Sequence, residues 1–246
     1  MFHHLIKRAF DFFIALVGLV FLSPALTLCA FLIWLEDYHS PFYRAPRIGR
    51  GGSEFRMLKL RSMRVNSDRN GSSSTKVDDG RITKIGHLIR RFKLDEFLQL
   101  WNVLMGEMSL VGPRPQVRWA VDIYTEEERQ LLSIRPGITD FASLVFADEG
   151  EILKGSKDPD GDYLQLIRPW KSKLGIFYVQ SSTIWLDLKL VLLTIKALFS
   201  RENALRGVQA LLKRLGADAE LIRISGRRET LVPQIMGKIS NTGQVR

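Results

Sequence analysis

Between Phe12 and Leu35 the chain is almost uninterrupted hydrocarbon, and a segment of that length and polarity belongs in a bilayer. About 24 helical residues at ~1.5 Å each reach roughly 36 Å, enough to cross the hydrocarbon core. A secretory signal would need a shorter apolar core and a small-residue cleavage site, and the sequence offers neither. Ser23-Pro24 stands at the middle of the run. Proline removes a backbone donor and kinks a helix, it pushes its predecessor out of helical geometry, and a serine hydroxyl can satisfy a freed carbonyl. Lys7 and Arg8 precede the run, and Arg44, Arg47 and Arg50 follow it. Cationic flanks prefer the cytoplasmic face, and here both flanks are cationic. A re-entrant helix that bends at Ser23-Pro24 and leaves by the face it entered satisfies both facts. A kinked span across the bilayer also stays open.

The 246 residues fit one ordinary domain plus this membrane element. A net charge of +10 calls for an anionic partner: nucleic acid, anionic lipid or a phosphorylated substrate. The cations are spread along the chain, and no nucleic-acid recognition motif accompanies them. Cys29, the single cysteine, lies inside the apolar run, which excludes an internal disulfide and a cysteine zinc site. The scattered histidines make a histidine-rich metal site equally unsuitable.

Pro41 to Gly52, rich in Arg, Pro and Gly, reads as an irregular loop. Phe55 to Met63 reads as a short strand or extended piece with Lys59 and Arg61 on one face and Leu58 and Leu60 on the other, a pattern that fits two solvated cations on an edge strand as well as an anion site. Asn66 to Gly80, with Ser72-Ser73-Ser74, reads as a polar, mobile loop. Ile82, Ile85, Ile89 and Phe92 keep helical spacing, continued by Leu100, Val103 and Leu104, and predict one long helix over Arg81–Met105. A helix over Glu126–Leu132 should precede a turn at Arg135-Pro136-Gly137. Trp185 to Phe199 predicts a last long helix, packed on the domain or lying in the membrane interface. Beyond Arg201 there are basic clusters such as Arg227-Arg228 and no catalytic pattern.

The chemistry is concentrated in two places. Asp95 and Glu96 follow Arg90, Arg91 and Lys93 and are crowded by Leu94, Phe97, Leu98 and Trp101. Charges set among apolar groups cost free energy unless compensated, which makes a functional reason more plausible and leaves a helix face with ion pairs open beside it. On a helix the two carboxylates point about 100° apart, so they cannot share one proton, but they can divide labour around a ligand. One could address a phosphorus atom while the other holds a cation. Arg91, four residues before Asp95, offers only the weaker orientation of a helical ion pair. The second place is Arg114, held between Pro113 and Pro115, whose fixed φ angles restrict the backbone of a guanidinium suited to phosphate.

These residues together resemble the bacterial sugar transferase family of monotopic polyprenyl-phosphate phosphoglycosyl transferases. The resemblance covers roughly Phe2 to Thr194. It rests on Ser23-Pro24, Lys59-Leu60-Arg61-Ser62-Met63, Arg81-Ile82-Thr83 with Gly86, and Leu94-Asp95-Glu96 with Gln99 and Asn102-Val103. Gly106-Glu107-Met108-Ser109-Leu110-Val111-Gly112-Pro113-Arg114-Pro115 and Arg135-Pro136-Gly137-Ile138-Thr139 complete it. The resemblance implies transfer of a phospho-sugar from a UDP-sugar to polyprenyl (undecaprenyl) phosphate. UMP would leave, opening a lipopolysaccharide or exopolysaccharide pathway. It implies that Asp95 is the nucleophile and that Glu96 engages Mg²⁺. Arg90 and Arg114 match phosphate-contacting positions; Lys59, Arg61 and Arg135 are weaker anion-binding candidates. It further implies a re-entrant helix bent at Ser23-Pro24, with catalysis on the cytoplasmic face of the bacterial inner membrane. Asp140-Phe141 stands where many relatives have Gly and Trp, which leaves the sugar undetermined. Longer relatives carry several spanning helices before the catalytic part, so this chain looks like the minimal form.

The expected fold is mixed α/β and mostly helical, with interfacial amphipathic helices. A re-entrant element would cover residues 1–40, a cytosolic catalytic domain 41–200 and a basic tail 201–246. The expected partners are a UDP-sugar, polyprenyl phosphate, membrane lipid and, as an option, a second copy of the chain, with no nucleic acid. Two other readings compete: a membrane-anchored basic adaptor without catalysis, and a phosphohydrolase using Asp95 with water as acceptor.

Overall fold

The computed structural model describes residues 2–67, 75 and 79–233. Most of the expected serine-rich loop, including Ser72-Ser73-Ser74, lies outside the described residues, as do residues 234–246 of the expected tail.

Helix α1 (Phe2–Asp37) stays helical through Ser23-Pro24. Pro24 has no N–H to give the carbonyl of Val20, and the Ser23 hydroxyl donates to that carbonyl instead, at 2.8 Å. One face of α1 packs on the rest of the molecule at helical spacing: Asp11, Ala15, Leu26 and Ile33 are buried, with Gly18 and Leu22 half-buried between them. The opposite face presents Phe13, Val17, Val20, Phe21, Leu28 and Phe31; Phe21 is 81% exposed. Both ends of the helix are tied to the same body. Lys7 reaches Asp187 at 2.5 Å, and Asp11 accepts from the Ser109 hydroxyl at 2.7 Å and from the Leu110 N–H at 3.2 Å. At the other end, Asp37 accepts a two-pronged bond from Arg61, and Glu36 accepts from the Lys84 N–H at 3.2 Å.

Strands β1 (Phe42–Ile48) and β2 (Glu54–Leu60) form an antiparallel hairpin in register from Phe42↔Leu60 to Ile48↔Glu54. The expectation of an irregular loop over Pro41–Gly52 is therefore wrong. A two-stranded ribbon leaves each strand one free edge, so it tolerates Pro46, and the composition that suggested a loop belongs to an edge strand.

The long helix expected over Arg81–Met105 is broken. Helix α2 (Lys84–Arg91), capped by Thr83, ends before Lys93, which adopts a left-handed backbone at φ 54°. A tight 3₁₀ turn, Leu94–Glu96, follows, and then α3 (Gln99–Met105). The helical ion pair considered for Arg91 and Asp95 does not exist, because no helix joins them. Apolar spacing continues across the break because Leu94 and Phe97 still point into the packed interior.

The chain goes on through β3 (Ser109–Val111), α4 (Arg118–Asp122), a 3₁₀ turn at Glu128–Leu132 where a helix was expected, and β4 (Gly137–Thr139). Strands β3 and β4 pair in parallel, Ser109 with Gly137 and Val111 with Thr139. Short helices α5 (Phe141–Val145), α6 (Glu149–Ile152) and α7 (Pro159–Asp162) lead to α8 (Arg168–Ser181) and to the expected long helix, α9 (Ile184–Phe199). The segment read as a tail forms α10 (Arg201–Arg214) and α11 (Ala219–Ser225). These bury Leu205, Val208, Leu212 and Leu221 in the main core with Phe141, Leu174, Tyr178 and Leu190. A smaller cluster joins Leu26 and Ile33 of α1 to Leu60 and Ile89. The protein is thus a mostly helical α/β fold with one long apolar helix along its side.

Candidate active site

The left-handed Lys93 reverses the chain after α2 and throws the next three residues into a turn. Such a conformation costs a non-glycine residue about 1–2 kcal/mol, so surrounding contacts must hold it. Leu94, Phe97 and Leu98 do so by packing beside Leu26, Ile33 and Ile89. With these anchored inward, Asp95 and Glu96 lie side by side on a turn with about 120° between successive side chains, rather than the 100° of an α-helix.

Strand β2 delivers Lys59. The Asn102 carboxamide fixes the strand's height by accepting from the Leu58 N–H at 2.9 Å and donating to the Arg56 carbonyl at 2.8 Å. The loop after β3 delivers Arg114. Gly112 and Gly137 touch so closely that a Cβ on Gly137 would lie 2.0 Å from the Gly112 nitrogen. The Pro113 carbonyl accepts from the Gly137 N–H at 3.0 Å, which locks the base of the Pro-Arg-Pro loop. Arg114 then grips Glu96 with both Nη atoms, at 2.5 and 3.4 Å.

The two carboxylates are not equivalent. Asp95 is buried and accepts no hydrogen bond from any described residue. Burial raises its pKa above the ordinary aspartate value; Lys59 opposes this, and the neighbouring charge of Glu96 adds to it. Burial also disfavours the charge on Glu96, but Arg114, Lys59 and Lys93 outweigh that and pull its pKa down to about 2. Lys59 falls to about 8, through burial and then the like charge of Arg114. Arg114 moves up, chiefly because Glu96 is beside it. The result is one clamped carboxylate next to one unengaged carboxylate, ringed by cations.

Arg90, at the end of α2, acts on Asp95 by charge and also on Asp79. Arg61 does not join the cluster: its guanidinium is taken up by Asp37 and by the Ser40 carbonyl at 2.8 Å. Arg135 is elsewhere too, with Nε on the Gly106 carbonyl at 2.8 Å. Several groups escaped the sequence reading. Lys171, paired with Glu149, and Tyr163 interact electrostatically with Arg114. A narrow pocket behind Arg114 is lined by Asp140, Ser143, Tyr163 and Lys171. Arg47, on β1, faces Arg114 and Tyr163. No motif marks these residues; only the fold brings them together. Gln99 is fully buried with both amide atoms unpartnered among the described residues, a cost that a site residue can justify.

A profile of the bacterial sugar transferase family matches residues 2–201. The chain belongs to that family. It is 32% identical over 198 residues to the UDP-N-acetylgalactosamine-undecaprenyl-phosphate N-acetylgalactosaminephosphotransferase of Aeromonas hydrophila, covering 79% of this chain and 44% of the relative. It is 38% identical over 203 residues to the undecaprenyl-phosphate glucose phosphotransferase of Komagataeibacter xylinus, covering 79% of this chain and 36% of the relative. The UDP-glucose:undecaprenyl-phosphate glucose-1-phosphate transferase of Caulobacter vibrioides is 34% identical over 201 residues, covering 80% of this chain and 71% of the relative. The chain therefore spans less than half the length of the first two. The sugars in these names differ, so family membership leaves the sugar open.

Among the described residues, no group of three His, Cys, Asp or Glu side chains converges on one point. Magnesium does not need one: it binds through one or two carboxylates and takes its other oxygens from water and phosphate. Asp95 and Glu96 fit that donor set. A carboxylate has about four lone-pair sites, so Glu96 can serve both Arg114 and a cation.

Proposed function

We propose that this sugar transferase moves a phospho-sugar from a UDP-sugar to polyprenyl phosphate by way of a covalent intermediate on Asp95. The observation that carries the reading is the inequality of the two carboxylates. Glu96 is held by Arg114, whereas Asp95 has no hydrogen-bond partner among the described residues and stands in a field of cations. A carboxylate oxygen of Asp95 attacks the phosphorus that bears the sugar. The bond from that phosphorus to the bridging oxygen breaks, and UMP leaves with the bridging oxygen. The polyprenyl phosphate oxygen then attacks the same phosphorus, releasing the Asp95 carboxylate and forming the polyprenyl diphosphate sugar. Arg114, Lys59 and Arg90 supply positive charge as it is needed on the phosphate oxygens. Magnesium, held by Glu96 when bound, would neutralise phosphate oxygens. A covalent intermediate lets one site serve a soluble donor and a lipid acceptor in turn.

Helix α1 rests in one leaflet of the membrane and returns to the cytoplasmic face. Its 36 residues would reach about 54 Å, well beyond a hydrocarbon core of roughly 30 Å. A span would put its ends on opposite sides, yet Lys7 and Asp37 are both bonded to the same domain. Its exposed apolar face is the part left for lipid.

The test is an assay of UMP release by the full chain in detergent, with polyprenyl phosphate and each of several UDP-sugars. One donor should support Mg²⁺-dependent turnover and yield a lipid diphosphate sugar. Release of free sugar phosphate to water, without lipid product, would favour the hydrolase instead.

A further inference from the structure

A cavity of about 340 Å³ opens beside Gly106, lined by Arg50, Phe55, Met105, Glu107 and Arg135 among others. It shares no residue with the pocket behind Arg114. Two arginines, Arg50 and Arg135, line it, and a third, Arg8, stands behind its Gly106 wall. Arg135 uses Nε on the Gly106 carbonyl at 2.8 Å, and Arg50 uses Nε on the Ser133 carbonyl at 3.1 Å. Arg8 of α1 lies directly behind Gly106 and donates to the carbonyls of Val103 and Leu104, closing the C-terminal end of α3. Gly106 has φ +83°, and a Cβ there would lie 3.3 Å from the Arg8 guanidinium.

None of these three guanidiniums forms an ion pair with a described carboxylate. Of the acids at the rim, Glu54 is paired with Arg118 at 2.7 Å, and Glu107 keeps its charge while accepting from the Asn102 amide at 2.6 Å, so Arg50, Arg135 and Arg8 leave a positive excess there. The Nη ends of Arg50 and Arg135 have no hydrogen-bond acceptor among the described residues. Partial burial and the like charges of Arg8 and Arg50 make Arg135 a weaker base than usual. Arg50 and Arg135, fixed in the concave surface through their Nε atoms with Nη atoms to spare, and backed by the charge of Arg8, form a preorganised anion site.

We propose that this cavity binds the phosphate of an anionic membrane lipid headgroup. The phosphate chemistry follows from the paired guanidiniums, which match its oxygens. The lipid source follows from position. Arg8 lies four residues before the apolar run begins at Phe12, and cations at the end of an embedded helix sit at headgroup depth. Met105, 63% exposed on the cavity wall, offers an apolar contact for the start of the acyl chains. The assignment rests on the membrane reading of α1 and does not depend on the transfer reaction.

Native mass spectrometry of the full chain, released from neutral detergent with equimolar phosphatidylglycerol and phosphatidylcholine, tests this. The wild type should retain one phosphatidylglycerol per chain in preference to phosphatidylcholine. Arg50→Ala should weaken that retention about fivefold, the scale of one basic residue near an anionic surface. Arg206→Ala, which removes an equal charge from the exposed side of α10, should leave it unchanged. UMP release and the melting temperature are read on the same variants, so a failed transfer reaction or a folding defect is seen separately. Retention that survives added inorganic phosphate supports the lipid headgroup. Displacement by inorganic phosphate alone keeps an anion site but overturns the lipid source. Equal retention by wild type, Arg50→Ala and Arg206→Ala overturns the site.

Discussion

Two arginine–carboxylate forks in this protein have the same chemistry and different surroundings. Arg61 grips Asp37 at the end of α1, and Arg114 grips Glu96 beside Asp95. Both arginines were anion-binding candidates in the sequence, Arg61 the weaker of the two. The first fork joins the apolar helix α1 to the hairpin, and its remaining donors go to the backbone at Ser40 and His39. The second has an unengaged carboxylate next to it and Lys59, Arg90 and Lys93 acting on that group. An ion pair with its neighbours satisfied is a fastening. The same pair with surplus charge around it is a place where a ligand can be exchanged for a partner.

Substitutions can break this contrast. Arg114→Ala should lower kcat/KM about 100- to 1,000-fold, the scale for losing a donor aimed at developing negative charge. Its fold should persist, as judged by circular dichroism and gel filtration. Arg61→Ala should do the reverse: a loss of about 1–2 kcal/mol in stability for a half-buried charged fork, with steady-state constants changed less than about threefold. If Arg61→Ala instead abolishes turnover in a protein of unaltered melting temperature, the fastening role is wrong and Arg61 returns to the site.

A smaller effect should appear in the pH profile. Lys59 carries its charge below a pKa of about 8 and loses it as pH rises through that value. The rate it supports should therefore decline on the alkaline side near pH 8. On the acid side the limb should lie above the ordinary aspartate range, because Asp95 must be ionised to attack and burial raises its pKa. Lys59→Arg, which keeps its charge to much higher pH, should move only the alkaline limb upward. An unmoved alkaline limb would assign it to another group.

The sequence was most legible where a single segment decides the outcome. The apolar run, the repair of Pro24 by Ser23, strand β2 and helix α9 all follow from local pattern. It was less legible where the decision is made by distant contacts. The break at Lys93 goes against the helical spacing around it and is held by packing from α1 and Ile89. The partner of Arg61 lies 24 residues upstream, so strand alternation alone placed Arg61 beside Lys59 in function as well as in space. Lys171 and Glu149 reach the site from helices that carry no motif, and the basic tail hides a run of core leucines at helical spacing. Adjacent acids could not be ranked from sequence spacing; the clamp on one of them separates the two.

The most direct test of that ranking is a mass measurement on the purified chain. Mixed with its UDP-sugar and Mg²⁺ in the absence of any lipid acceptor, the enzyme should release one UMP per active site. Its mass should rise by one phospho-sugar, located on the peptide that contains Asp95. Asp95→Asn should abolish both signals and reduce turnover by about 10,000-fold or more, the scale for removing a covalent nucleophile. Glu96→Gln should keep its fold and lose most turnover, without moving the adduct to another residue. UMP that appears only when polyprenyl phosphate is also present, with no adduct on Asp95 at any time, would contradict the account and assign the attack on the donor to the lipid phosphate itself.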